Sequence, residues 1–267
     1  MTDAHRRPYA APSRYRPRPM CRWCCGVALD IGSARTRAWI AGRGVVVDVP
    51  TVTHSGTGVV HPVRRGTVVD IQGCARMLRH LLADRLPRLA RPMIIVTVHV
   101  LDGPACHARV RAALEVLEPR SVLTVPGARS VALAAGADLS RPLLVVDLGA
   151  HVTEVVLLSD GAVADARRVA LGTVDLDETV EPVQMADVVA GMPAEMLRQD
   201  HTGLTEEALG RGVLLAGGGA LRPGLTGRLT ALLPAPLRVV PAPHTAAVRG
   251  AAGLLQSARF HPSVPGV

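Results

Sequence analysis

A chain of 267 residues, 48% hydrophobic with a mean hydropathy of +0.27, has ample material for one large core or two smaller ones. No apolar run approaches the roughly 20 residues that span a bilayer, and the N-terminus lacks the apolar centre of a secretory signal, so a cytoplasmic protein is expected. Of the formal net charge of +8, the first 23 residues carry +5, six Arg against Asp3, which leaves no basic face on which to expect nucleic acid as a partner.

The basic residues are all Arg and Asn is absent, a bias of coding composition rather than a functional demand. Five cysteines in a cytosolic chain argue against a disulfide framework. Cys21-x-x-Cys24-Cys25 has no second ligand pair to complete a zinc site, since Cys74 and Cys106 lie far off. Residues 1–23 read as a disordered basic tail. Its arginines, with Arg22-Trp23, suit a peripheral membrane contact at about 1 kcal/mol per basic residue near an anionic surface.

In chain order, Val27–Ile31, Arg37–Ala41 and Gly44–Val49 read as strands, with Gly42-Arg43-Gly44 as a turn. Thr51 to Arg65 is polar, and Gly66-Thr-Val-Val-Asp70 leads into a helix through about Leu89 with Met77, Leu78, Leu81, Leu82 and Leu86 on one face. Met93–Val100 reads as a continuous β-branched run, the mark of a strand buried on both faces. Pro104 opens a helix to Leu117, Ser121–Val125 is a strand, and Gly127–Ala137 is a small-residue helix. Leu143–Val169 is a second strand system, and Gly172–Val180 opens a helix with acidic residues near its positive end. Residues 181–211 give only broken helical signals, interrupted by Pro182 and Pro193. Val213–Ala220 is a strand running into a glycine turn. A helix Arg222–Leu233, a strand Leu237–Val240, an alanine-rich helix His244–Ser257 and a frayed tail, 259–267, complete the chain.

One pattern occurs twice. Val27–Gly44 and Leu143–Gly161 each hold an apolar strand ending in Asp-x-Gly, a Thr four residues after that Gly, a second apolar run and a closing glycine. The matched positions are Asp30 with Asp147, Gly32 with Gly149, Thr36 with Thr153, and Gly44 with Gly161. Glycine turns at strand ends expose backbone N–H groups that suit phosphate oxygens. A carboxylate beside them holds phosphate only through a cation, and Mg²⁺ bridges such pairs through its waters. Two such tips facing each other would clamp a Mg-nucleotide, with Gly217-Gly218-Gly219 as a third wall.

These residues resemble the actin-like ATPases, the superfamily that includes actin, Hsp70 and sugar kinases, and within it the bacterial MreB-type cell-shape proteins. Asp30-Ile-Gly-Ser-Ala-Arg-Thr36 is similar to the first phosphate loop, Asp-Leu-Gly-Thr-Ala-Asn-Thr, and Gly66-Thr-Val-Val-Asp70 to Gly-Val-Ile-Ala-Asp. Asp147-Leu-Gly-Ala-His-Val-Thr-Glu-Val155 resembles the second loop, Asp-Ile-Gly-Gly-Gly-Thr-Thr-Glu-Val, and Gly212–Arg222 the adenosine motif. The resemblance covers about Val27 to Ser257. It implies an α/β, duplicated ribonuclease-H-like fold with two inner subdomains around a cleft. The halves fall at 24–139, with a reduced outer part, and 140–258, with its outer part largely deleted. It assigns nucleotide contacts to Asp30, Gly32, Ser33, Ala34, Arg35, Asp147, Gly149, Ala150, His151, Gly217, Gly218, Gly219 and Ala220, and Mg²⁺ through water to Asp30 and Asp147.

Departures from the pattern lower the expected activity. Ala150-His151-Val152 stands where the family has Gly-Gly-Thr, so side chains crowd the second phosphate seat, and His151 reads as filling a vacated pocket. Thr124-Val125-Pro126 replaces Glu-Glu-Pro, which removes the group that orients water, a step worth roughly 10²–10⁴-fold. At most a weak ATPase is expected. Asp70 reads as a helix cap, and Asp102 and Glu154 receive no ligand role. The implied function is an MreB-type cytoskeletal protein of cell shape and wall morphogenesis with weak or vestigial ATP binding, acting with itself or with cell-wall proteins. Two alternatives stand beside it: a non-polymerising scaffold for a cell-wall partner, and a phosphotransferase of the same superfamily.

Overall fold

A computed structural model describes residues 25–55, 58–87, 91–178 and 180–260. The N-terminal tail with Arg22-Trp23, Cys21 and Cys24 lies outside the described residues, as does 261–267 of the C-terminal tail. The first sheet begins with the meander β1 (Gly26–Ile31), β2 (Arg35–Ile40) and β3 (Gly44–Pro50). Two short hairpins follow, β4 (Thr53–Ser55) with β5 (Gly58–Val60) and β6 (Val63–Arg64) with β7 (Thr67–Val68). Then come α1 (Ile71–Leu82), β8 (Met93–Val98), α2 (Pro104–Leu114), β9 (Ser121–Pro126) and α3 (Gly127–Ala134). The second sheet opens with β10 (Leu143–Leu148), β11 (Thr153–Ser159) and β12 (Ala162–Val169). After it run α4 (Thr173–Glu178), α5 (Pro182–Gln199), α6 (Leu204–Arg211), β13 (Val213–Ala216), α7 (Pro223–Leu232), β14 (Leu237–Val239) and α8 (Ala246–Phe260).

The two five-stranded sheets repeat one topology, β3-β2-β1-β8-β9 and β12-β11-β10-β13-β14. In each, the first three strands are antiparallel and the last two run parallel to the central one. The period of two along a strand sends alternate residues to opposite faces. Val27 and Leu29 of β1 join α1 and α2, whereas Ala28 joins Val248, Ala251, Ala252 and Leu255 of α8. Leu144, Val146 and Leu148 of β10 join α5, α6 and α7, whereas Leu143 and Val145 join Ala128, Val131 and Ala132 of α3. Each half of the chain thus lends one helix to the other half's sheet.

Local rules account for the ends of α1 and the start of α5. Asp70 caps α1, its carboxylate accepting from Gly73 N at 2.8 Å, as expected. The helix ends at Leu82 and a 3₁₀ turn, Ala83–Arg85, rather than reaching Leu89, because Pro87 follows; 88–90 lie outside the described residues. Residues 181–211 correct the reading of broken signals: α5 is continuous over 18 residues. Pro182 occupies its first turn, where no N–H is needed, beside a capping box of Glu181 and Gln184. Pro193 lies inside the helix and is buried beside Met192 and Met196, so core packing outweighs one lost backbone bond. This stretch packs into the second core, and 53–68 forms the two short hairpins.

The exchanged helices α3 and α8 pack on each other between the sheets. They touch most closely at Gly250, where a Cβ would sit 1.7 Å from the backbone oxygen of Ser130, itself fully buried. Backbone cannot yield as a side-chain tip can, so Gly250→Ala is expected to destabilise by about 2–3 kcal/mol. Gly253, exposed three residues on with no atom within 4 Å of its Cβ position, is the control. There the same change is expected to stabilise by about 0.5–1 kcal/mol, and urea unfolding of the two variants checks the opposite signs.

Candidate functional site

The C-terminal ends of β1 and β10 face each other across one cavity of about 330 Å³. The turn after each strand is built alike. Gly32 N donates to the Arg35 carbonyl and Gly149 N to the Val152 carbonyl, both at 3.0 Å. A Cβ on Gly32 would lie 2.9 Å from the first of these oxygens, and one on Gly149 2.6 Å from the second, so both turns require glycine. The matched threonines anchor them from beneath. Thr36 Oγ1 pairs with Thr51 Oγ1 at 2.9 Å, Thr51 in turn donates to the Gly32 carbonyl at 2.7 Å, and Thr153 donates to the Leu171 carbonyl at 2.9 Å.

Hairpin register sets what stands opposite each acid. Arg37 is the cross-strand partner of Asp30, and Glu154 that of Asp147. Arg37 Nη1 lies 3.4 Å from Asp30 Oδ2, and Thr97 Oγ1 donates to Asp30 Oδ1 at 3.0 Å. Asp147 has no such cation opposite. Its carboxyl is pushed up to about 6, by burial first and then by the charge of Asp30, with His99 pulling the other way. Burial likewise raises Glu154, which accepts the backbone N–H of Val100 at 3.2 Å and Leu101 at 3.5 Å from the other half.

Beneath the tips a polar bridge joins the halves. Asp102 accepts from Arg168 Nη1 at 2.7 Å and lies 3.7 Å from His99 Nδ1. Burial works against the Asp102 carboxylate, but those two cations hold it below the usual range. Burial alone would depress His99; its pairing with Asp102 and the charges of Glu154, Asp102 and Asp147 outweigh it and raise the imidazole to about 9. A second bridge runs from Arg65, whose guanidinium donates to the Ala170 carbonyl at 2.6 Å and lies 3.7 Å from Asp175. Its neighbour Gly66 has φ +79° and packs under His99, where a Cβ would sit 2.7 Å from the ring, and its N–H donates to Ser33 Oγ at 2.7 Å.

Of the residues assigned by resemblance, Asp30, Gly32, Ser33, Ala34, Arg35, Asp147, Gly149, Ala150, His151, Gly217 and Gly218 all line this cavity. Gly219 and Ala220 do not: Gly219 packs against Leu148 and Thr173, and both are buried in the second core. Gly217, at φ +85°, lies against Asp147, where a Cβ would be 2.4 Å from Oδ1. Gly218 opens the other way, with no atom within 4 Å of its Cβ position, a space a phosphate or sugar can enter. His151 and His244 each carry a buried Nδ1 without a partner among the described residues, and both line the cavity. The sequence reading missed Arg37, His99, Asp102, Glu154 and Arg168. Seven-residue spacing from each Asp marked Arg37 and Glu154, whereas pairing of Asp102 with Arg168 spans 66 residues and has no local signal.

The donors suit phosphate better than metal. Among the described residues no three His, Cys, Asp or Glu side chains converge as a metal site, and Asp30 is already countered by Arg37. Cys25, Cys74 and Cys106 are free thiols.

A family model described as MreB/Mbl protein matches residues 51–184, half of the chain. The chain belongs to the MreB/Mbl family. The cell shape-determining protein MreB of Escherichia coli (strain K12) is 22% identical over 187 residues, 58% of this chain and 54% of that protein. The chain spans about half the length of the curated relatives it matches. Among solved structures, MreB5 of Spiroplasma citri bound to ADP matches with a TM-score of 0.77 at 14% identity, over 90% of this chain and 100% of the other. The MamK double helical filament matches at 0.71 and 15% identity, over 90% and 100%. The fold is therefore the duplicated actin-like α/β fold that the paired motifs imply. The MreB/Mbl match leaves out Asp30 and Gly217–Gly219, which join the site through the fold alone.

No helix among the described residues is long and apolar enough to cross a membrane.

The His99 bridge predicts a pH dependence. A group whose folded pKa is about 9, against 6.5 in the unfolded chain, adds stability that is complete below 6.5 and lost as pH rises through 9. Discounted for its partial exposure, the loss is about 1–2 kcal/mol, or ~3–6 °C in Tm. Asp147, raised to about 6, loses its contribution on the acid side of this window, and Cys74, pushed up to about 12 by burial, loses its own only above 9. Thermal melts between pH 6.5 and 9 are expected to show the fall, and His99→Gln to flatten it.

Proposed function

We propose that this MreB/Mbl protein is a cytoskeletal element of bacterial cell shape that binds a nucleotide in its central cleft and assembles with copies of itself. The observation that carries the reading is the pair of like-built glycine turns, Gly32 and Gly149, meeting over one cavity with the open face of Gly218 beside them. Backbone N–H groups of the two turns and the Ser33 hydroxyl would hold the phosphates, and the wall at Gly217 and Gly218 the nucleoside. The bound ADP of the Spiroplasma citri MreB5 and the double helical filament of MamK support the reading by likeness of fold.

Hydrolysis is expected to be slow. Thr124 and Val125 occupy the end of β9 where the family motif carries carboxylates, and neither lines the cavity. The cleft residues of this chain therefore bind and orient phosphate, with no side chain at that strand end to order an attacking water. Domain roles follow from the same reading: residues 24–139 and 140–258 act as the two jaws, and the N-terminal arginines as a membrane contact.

A titration tests it. ATP or ADP at about 100 times its Kd should stabilise the folded chain by about 2.7 kcal/mol, read as a rise in Tm. Gly218→Leu is expected to leave the unliganded stability within about 0.5 kcal/mol of the parent, since a Cβ there has no protein atom within 4 Å, and to abolish the nucleotide shift. Sedimentation that increases with nucleotide in the parent and not in Gly218→Leu checks self-assembly; a Tm indifferent to nucleotide in both overturns the reading.

A further inference from the structure

Asp30 is where resemblance puts the water-bridged Mg²⁺, and in this chain that carboxylate is already engaged. Arg37 stands opposite it in the hairpin register, 3.4 Å away, while Thr97 donates to its other oxygen at 3.0 Å. Arg37 is held from behind as well, its Nε 3.3 Å from Asp48 Oδ1 but not aligned for a hydrogen bond, and its side chain is 13% exposed. Both Arg37 and Asp30 line the cavity. At the second tip, Gly217 lies against Asp147, where a Cβ would be 2.4 Å from Oδ1. A hydrated Mg²⁺ needs carboxylate charge left free on a wet wall, and here a guanidinium takes that charge. Guanidinium is permanently protonated and its planar N–H fork matches a phosphate's oxygens. Arg35, on the same wall where the family's first loop has Asn, is engaged by Asp48, its Nε 2.6 Å from Oδ1, so Arg37 is the guanidinium left to face phosphate.

We infer that the cleft takes nucleotide phosphates without a divalent cation, Arg37 supplying the positive charge that a metal would otherwise bring. The inference rests on the nucleotide reading of the cleft. The metal-bridged and metal-free modes demand opposite things of Asp30. If Mg²⁺ bridges Asp30 to phosphate, removing the carboxylate charge weakens binding. If Arg37 meets phosphate directly, Asp30 is a competing anion, and removing its charge strengthens binding.

Calorimetric titration of the full chain with ATP, in excess EDTA and in excess Mg²⁺, separates the two. The Kd is expected to agree within about threefold between buffers, and Asp30→Asn to tighten it in EDTA by roughly fivefold. Arg37→Met is expected to weaken binding in EDTA by at least about tenfold; Asp30→Asn carries the test alone should that variant not fold. Binding in Mg²⁺ that disappears in EDTA and in Asp30→Asn overturns metal-free binding and keeps the nucleotide reading. No binding in either buffer overturns both.

Discussion

The crossing of α3 over α8 is the constraint on which the rest of the molecule depends. Each helix covers the sheet of the opposite half, so parting the halves would uncover Ala28 and Ile95 on one side and Val145 and Val156 on the other. At roughly 1.5–3 kcal/mol for each large apolar side chain buried, the exchanged faces are worth more than the net stability of an ordinary domain. The polar links of Arg65 and Arg168 contribute about 1 kcal/mol each. Apolar exchange therefore holds the halves together, while the polar links fix the angle at which the two tips meet.

Much of this fold is visible in the sequence because duplication makes each copy a check on the other. One Asp-x-Gly turn means little; two, at matched distance from a Thr and a closing Gly, mark equivalent hairpins. What stayed hidden has a physical cause in each instance. Pro193 looks like a helix end until the core that buries it is known, since propensity is weaker than packing. Gly219 and Ala220 share a motif with Gly217 and Gly218 but turn inward, because the 3₁₀ turn Gly218–Leu221 rotates successive residues to different sides. His99 and Asp102 share the loop after β8, and only the assembled halves bring Arg168, near the end of β12, to Asp102.

The copies have diverged where chemistry differs. Seven residues after each Asp stands its cross-strand neighbour, and a register that is the same in both hairpins places Arg37 beside Asp30 but Glu154 beside Asp147. The first tip is an ion pair, the second two acids. The second is tolerable only because the first half supplies two backbone N–H groups and the charged His99 to Glu154. The acid pair of the second hairpin is thus balanced from across the cleft, and the second half would not be electrostatically comfortable alone.

That dependence bears on how a ligand would be felt. Ser33 Oγ accepts the Gly66 N–H, yet its own proton is free to be donated, so a phosphate oxygen can be held without stripping that backbone group of its partner. Were the bond broken instead, a part-buried N–H would be left unpaired at about 1–3 kcal/mol. Holding Ser33 in place also holds the β6–β7 turn, which carries Arg65 to Ala170 and Asp175 and packs Gly66 beneath His99. The first glycine turn is therefore tied, through one hairpin, to both polar links between the halves, and a group ordered at Ser33 stiffens the angle that those links set.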